Sequence, residues 1–146
     1  MTRDTSSGKS FEEIVELCIS RSCRRNGLER KAQSKIGERI GGGQHIVDWE
    51  IWEVSDPDRR ALISAKVQNT GGSAEEKIPY EILKLLHAMD NNSGFKFAWL
   101  ILGGTGWSPG LLDYYRTSLS EQIPAMVGRI KILRTDELLS LDLKIP

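Results

Sequence analysis

The segment FKFAWLILGG, residues 95–104, holds the longest unbroken apolar stretch of the chain. It is far shorter than the roughly 18–20 apolar residues that cross a membrane, so it predicts a strand buried inside a folded domain. Two further runs, HIVDWEIWEV (45–54) and ALISAKVQ (61–68), are rich in β-formers and predict an antiparallel hairpin around the turn SDPDRR. RIKILRT (129–135) predicts a fifth strand, and the segment 28–40 is ambiguous: a short helix or turn, then a strand near 35–40. Between the strands lie helical patterns. SFEEIVELCISRSCRR has apolar residues at Phe11, Ile14, Val15, Leu17, Cys18 and Ile19, a capping box at Ser10 and Glu13, and Asn26-Gly27 as its stop. A second helix starts near Ile78, because Pro79 is comfortable only in a first turn, and Ser73 with Glu76 offers another capping box. Helices over 111–126 and 136–143 complete the order α, β, β, β, α, β, α, β, α. That order predicts one α/β domain over 9–146, a mixed central sheet flanked by helices, behind a flexible tail at 1–8.

The length of 146 residues and the 39% hydrophobic, 27% charged composition fit a single domain with a real core. The polar start MTRDTSSGKS lacks the apolar core of a signal peptide, so a cytoplasmic, non-membrane protein is expected. Net charge is zero, but its distribution is uneven. Arg21, Arg24, Arg25, Arg30, Lys31, Lys35 and Arg39 face only Glu29 and Glu38 in the same segment, enough basic charge for a phosphate-facing patch. Cys18 and Cys23 form half of a C-x4-C metal pattern with no second half, and reduced thiols are expected.

The chemistry centres on one lysine. If 61–68 is a half-buried strand, Ser64, Lys66 and Gln68 share a face, and the neighbouring run carries Asp48, with Glu50 on the same face as Asp48. An ammonium group in an apolar strand needs a partner. Asp48 and Lys66 on adjacent strands, with a helix glutamate nearby, outline a metal-dependent phosphodiesterase site. A hard cation such as Mg²⁺, with Mn²⁺ as substitute, needs carboxylate oxygens and keeps several waters. It lowers the pKa of a bound water, and a lysine beside it orients that water or stabilises the phosphoryl charge.

These residues resemble the PD-(D/E)XK nuclease superfamily, which includes restriction endonucleases, Holliday-junction resolvases and some homing endonucleases. The family motif is an acidic residue on one strand, matched by Asp48, and acidic-x-Lys on the next, matched by Ser64-Ala65-Lys66. The resemblance covers roughly 8–105 and agrees with an αβββαβ core of restriction-endonuclease-like fold. It implies a role for Glu12 on the first helix. It also puts Ser64 where a carboxylate is expected. Some restriction enzymes similarly show Ser-Ala-Lys and take the carboxylate from the following helix, where Glu75, Glu76 and Glu81 lie in this chain. Glu81, fifteen residues after Lys66, is the favoured ligand, with Glu76 as the alternative.

The resemblance implies a DNA endonuclease of restriction or homing type. A junction resolvase and an inactive DNA-binding relative remain alternatives. Cutting both strands of a duplex implies a homodimer. Gln68 would orient water or touch phosphate. His45 and His87 have no ligand spacing between them and no visible catalytic partner, and His87, on a helix, is expected to be structural or on the surface. GGTGWSPG lacks the Gly-Lys-Ser/Thr ending of a phosphate loop and predicts a turn, with Trp107 at its tip available to DNA or a second subunit.

Overall fold

A computed structural model describes residues 6–69, 71, 74–140 and 142–146, with side chains from Ser10 onward. Five strands form one sheet in the order β1-β2-β3-β4-β5. β1 (Leu28–Glu38), β2 (Gln44–Glu53) and β3 (Asp56–Val67) run as an antiparallel meander. β4 (Phe95–Gly103) lies parallel to β3, and β5 (Ile130–Arg134) parallel to β4. The sheet is therefore mixed, as the element order predicts.

Helices cover both faces. Helix α1 (Ser6–Asn26) and the short α5 (Thr135–Ser140) close one side, where Val15, Ile19, Ile51, Ile63, Ile101 and Leu138 form a buried cluster. Helix α2 (Ile78–Asn91), α3 (Pro109–Thr117) and α4 (Leu119–Gln122) close the other, over Leu62, Ile82, Leu85, Leu100 and Ile132. β4 sits between the two layers and is buried from Ala98 to its end, which explains why its sequence is apolar without alternation. Among the described residues no helix is long and apolar enough to cross a membrane.

Several boundaries differ from expectation. The segment 28–38 is strand throughout, not a helix or turn followed by a strand. As an edge strand it exposes Lys31 and Lys35, so the alternation that marks a half-buried strand is weak in its sequence. SDPDRR is not a turn: the hairpin turns at Val54-Ser55, and β3 begins at Asp56. The register passes from Trp52↔Arg60 to Glu53↔Asp56, so Pro57, Asp58 and Arg59 occupy a bulge where a missing N–H breaks no ladder bond. Helix α1 starts at Ser6, so the expected capping box at Ser10 and Glu13 lies inside it; extending a formed helix by a turn is far easier than nucleating one. Residues 1–5 of the expected tail, and Ser73 of the second capping box, lie outside the described residues. Helix α2 does start at Ile78 with Pro79 in its first turn, after a 3-10 turn at Glu75–Lys77.

Trp107 corrects another expectation. It is buried, and its indole donates to the Gly103 carbonyl at 2.7 Å, so the loop tip does not offer it to DNA or a partner. Cys18 and Cys23 are buried free thiols, and burial pushes Cys23 up to about 11, away from metal-binding thiolate chemistry.

The loop after β4 is tied to the end of β3. Gln68 donates its N–H to Gly103 O, and Gly106 N–H donates to Gln68 O. Gly104 makes this crossing possible: φ is +88°, and a Cβ there would stand 2.3 Å from the Gln68 carbonyl oxygen. Gly104→Ala should lower unfolding free energy by about 2–3 kcal/mol. Gly110→Ala, where nothing lies within 4 Å, should leave it unchanged or raise it by up to about 1 kcal/mol. Denaturant unfolding of both variants checks the pair.

Candidate active site

The site forms where β2 and β3 part. Their ladder pairs Trp52 with Arg60 and ends at Trp49↔Ile63. One step further, the Asp48 carboxylate accepts the backbone N–H of Ala65 at 2.8 Å through Oδ2, where a ladder bond would otherwise lie. Val47 packs with the α2 cluster and Trp49 with the α1 cluster, although strict alternation puts positions two apart on one face. The phase slips at Asp48, which turns its side chain toward β3.

On β3, Ser64 and Lys66 lie on the same face as Leu62, beneath α2. The sequence pattern predicts this shared face. Glu81 sits in the first turn of α2, where a carboxylate is favoured by the exposed N–H groups of a helix start. It is buried, and its Oε1 accepts the Ser64 hydroxyl at 2.7 Å. Its Oε2 lies 3.6 Å from Lys66 Nζ and 3.0 Å from Lys84 Nζ. The serine in the motif therefore holds the helix carboxylate against the strand, and the carboxylate meets the motif lysine.

Electrostatics follow from this packing. Burial raises the Asp48 pKa; the Ala65 N–H and Lys66 oppose the rise, while Glu81 and Glu12 add to it. Burial also pushes Glu81 upward, but Lys66, the Ser64 hydroxyl and Lys84 together outweigh it and hold Glu81 below the usual glutamate value. Asp48 thus feels Glu81, Lys66 and Glu12 at once. Two carboxylates and two ammonium groups balance near neutrality.

Other expected residues are placed elsewhere. Glu12 is exposed on α1 and acts on Asp48 through its charge. Glu76 is exposed in the 3-10 turn. Glu75 is buried and accepts from the Gln68 amide at 2.9 Å and from Ser108 N–H and Oγ at 2.8 and 3.0 Å, so it ties loops together. Gln68 gives its amide to Glu75 and Gly106 O. Glu50 accepts the Ser34 hydroxyl at 2.6 Å and pairs with Arg60, which lies over Trp52. The basic run divides. Arg21, Arg24 and Arg25 lie on α1, with Arg25 3.5 Å from Asp142. Arg30 is paired with Glu16 at 2.5 Å, Lys31 and Lys35 are exposed on β1, and Arg39 donates to Gly42 O.

Two neighbours of the site, Lys84 and His45, have no site role in the sequence reading. Lys84 is the second ammonium on Glu81, and its signal is spacing: three residues after Glu81 puts it on the same helix face. His45 is buried, its Nδ1 has no hydrogen-bond partner, and burial with nearby Lys84 lowers its pKa. The charges of Lys84 and Glu81 both act on it.

Among the described residues no three His, Cys, Asp or Glu side chains gather as a metal cage. Asp48 and Glu81 nevertheless fit a hard divalent cation of the Mg²⁺ type, which is held by one or two carboxylates, waters and substrate phosphates. The two carboxylates have opposite effects on stability. The raised pKa of Asp48 gives stability that is complete below its unfolded value and is lost as pH rises through the folded value. Asp48→Asn should therefore melt higher than the parent protein at pH 7 without metal, and the gain should vanish toward pH 4. Glu81 contributes above its unfolded value, and its contribution is lost as pH falls. Glu81→Gln should cost about 1–2 kcal/mol at pH 7, at the low end for a buried pair because Lys66 is 38% exposed, and less in acid. Thermal melts of both variants between pH 4 and 7 check the two signs.

None of the curated proteins compared with the chain matches it. The model of the PD-(D/E)XK nuclease superfamily domain matches residues 6–144, nearly the whole chain. PD-(D/E)XK enzymes generally use divalent metals, and the mixed sheet with helices on both faces agrees with that match. The chain belongs to the PD-(D/E)XK nuclease superfamily.

Proposed function

We propose that the protein is a divalent-cation-dependent DNA endonuclease acting on duplex DNA, in the manner of restriction or homing enzymes. The observation that carries this reading is Glu81, buried and hydrogen-bonded to Ser64 beside Lys66, at the point where the motif otherwise needs a strand carboxylate.

Asp48 and Glu81 would hold Mg²⁺, or Mn²⁺ in its place. When bound, such a cation lowers the pKa of water and offsets charge growing on the phosphoryl group. Asp48 is positioned by Ala65 N–H, so its carboxylate keeps one orientation. Ser64 does the same for Glu81. Lys66 orients the attacking water and places positive charge beside the scissile phosphate. Glu12 would be the third acidic residue of the reading, acting on Asp48 through its charge. Glu76 serves as a surface residue in this reading.

DNA backbone contacts are assigned first to Lys31, Lys35 and Arg39, the cations of β1 and its turn. Arg30 is engaged by Glu16. Arg21, Arg24 and Arg25 begin nine residues beyond Glu12 on α1, about 13 Å along the helix from the residue nearest the site. They meet DNA only if it extends along that helix. A cytoplasmic location belongs to the same proposal.

Plasmid cleavage by purified variants tests the reading. The parent protein should cut in Mg²⁺ or Mn²⁺ and not in chelator. Asp48→Asn, Lys66→Ala and Glu81→Gln should each lose at least about 10²–10⁴-fold in rate while retaining DNA binding. Glu76→Gln should cut normally, and Ser64→Ala should lose much less than Glu81→Gln. A four-way junction cut in preference to linear duplex would make the enzyme a resolvase, and no cutting of either with DNA binding intact would make it a binding relative. Replacing Lys31, Lys35 and Arg39 by alanine together should weaken DNA binding and flatten its salt dependence.

A further inference from the structure

The outward face of α1 is self-complementary. Leu17 is 68% exposed and Ile14 42% exposed, adjacent on one helix face. Glu13 stands one turn before Leu17 and Arg21 one turn after it, and both are exposed. Ser10 and Arg24 repeat the spacing a further turn out, also exposed. Steps of three and four put these residues on a single stripe. Glu13, Arg21 and Arg24 form no ion pair among the described residues. The stripe reads acidic, apolar, basic, with Leu17 at its centre.

Beside the stripe runs a groove of about 900 Å³ between α1 and the β1–β2 edge, lined by Glu12, Glu13, Glu16, Leu17, Arg30 and Trp49 among others. Among the described residues that line it, the one cation, Arg30, is paired with Glu16. The groove is acidic, so it repels a phosphate backbone and attracts a cationic helix surface. The basic end of α1 is such a surface.

We propose that α1 is a homodimer interface, occupied by α1 of a second copy lying antiparallel across a two-fold axis at Leu17. In that arrangement Leu17 packs on Leu17 of the partner subunit, Ile14 lies over the adjoining turn, and Glu13 meets Arg21 of the partner subunit twice. An isologous contact requires this reciprocity, and an acidic-to-basic stripe satisfies it only in the antiparallel sense. One helix pair buries less than the roughly 1,200 Å² of a standard interface, so the dimer forms in the micromolar range. The groove adds contact area at the margin of this contact. The helix pairing is read from the exposed stripe of α1 and does not depend on the nuclease chemistry.

Sedimentation equilibrium without DNA or metal tests it, with circular dichroism to confirm folding. The parent protein should dimerise reversibly at tens of micromolar. Leu17→Glu, Glu13→Arg and Arg21→Glu should each weaken the dimer at least tenfold. An equimolar mixture of Glu13→Arg and Arg21→Glu should dimerise again, because both cross-axis pairs then join opposite charges. Cleavage assays do not enter, so failure here leaves the nuclease reading standing. A parent protein that stays monomeric up to several hundred micromolar overturns the proposal. So does a dimer that survives all three single variants, or a folded mixture that stays monomeric while the parent dimerises.

Discussion

Everything at the site depends on one broken rung between β2 and β3. The Asp48 carboxylate replaces a backbone carbonyl as the acceptor for Ala65 N–H. That substitution lets a charged oxygen reach the inside of the sheet edge without stranding a buried donor, because a lost backbone bond is repaid by a charge-assisted one. It also fixes where negative charge lies relative to β3. Lys66 and Glu81 then have to fall into place around it: the lysine because β3 alternates, the glutamate because α2 begins over that face.

The helix carboxylate carries more than one duty. Ser64 hands its hydroxyl to Glu81, and two lysines share the second oxygen. A buried glutamate alone would be protonated or destabilising; three donors keep it charged. Asp48 has the opposite environment, raised by burial and by the two glutamates. Burial and the two glutamates thus oppose charge on Asp48, whereas Glu81 keeps its charge through its own contacts.

Much of this was legible in the sequence because the governing periods are short. The Ser64–Lys66 face follows from period-2 alternation, and the start of α2 from the one place a proline tolerates in a helix. Glu81 follows only from the resemblance, and its hydrogen bond to Ser64 is a contact that the sequence alone does not show. What the sequence concealed has physical reasons as well. β1 is an edge strand whose exposed lysines mask its pattern. The three-residue bulge in β3 hides a strand start behind a proline. Trp107 appeared to be a loop tip because local sequence does not show that Gly103 O waits for its indole. Glu75 and Glu76 are adjacent in sequence, yet one is buried between loops and the other exposed, a distinction made only by tertiary packing. Glu50, two residues from Asp48, is claimed by Ser34 and Arg60.

The central claim is that the site's second carboxylate belongs to α2 and is held against β3 by Ser64. Moving that carboxylate back to the strand tests it most directly: Ser64→Glu combined with Glu81→Ser, compared with Glu81→Ser alone, by plasmid cleavage in Mg²⁺ and Mn²⁺ with folding checked by circular dichroism. The account predicts that the single variant is inactive and that the double variant recovers cleavage to within about 100-fold of the parent, since the same charge returns beside Lys66. A single variant that cuts at the parental rate, or a folded double variant as inactive as the single, would contradict it.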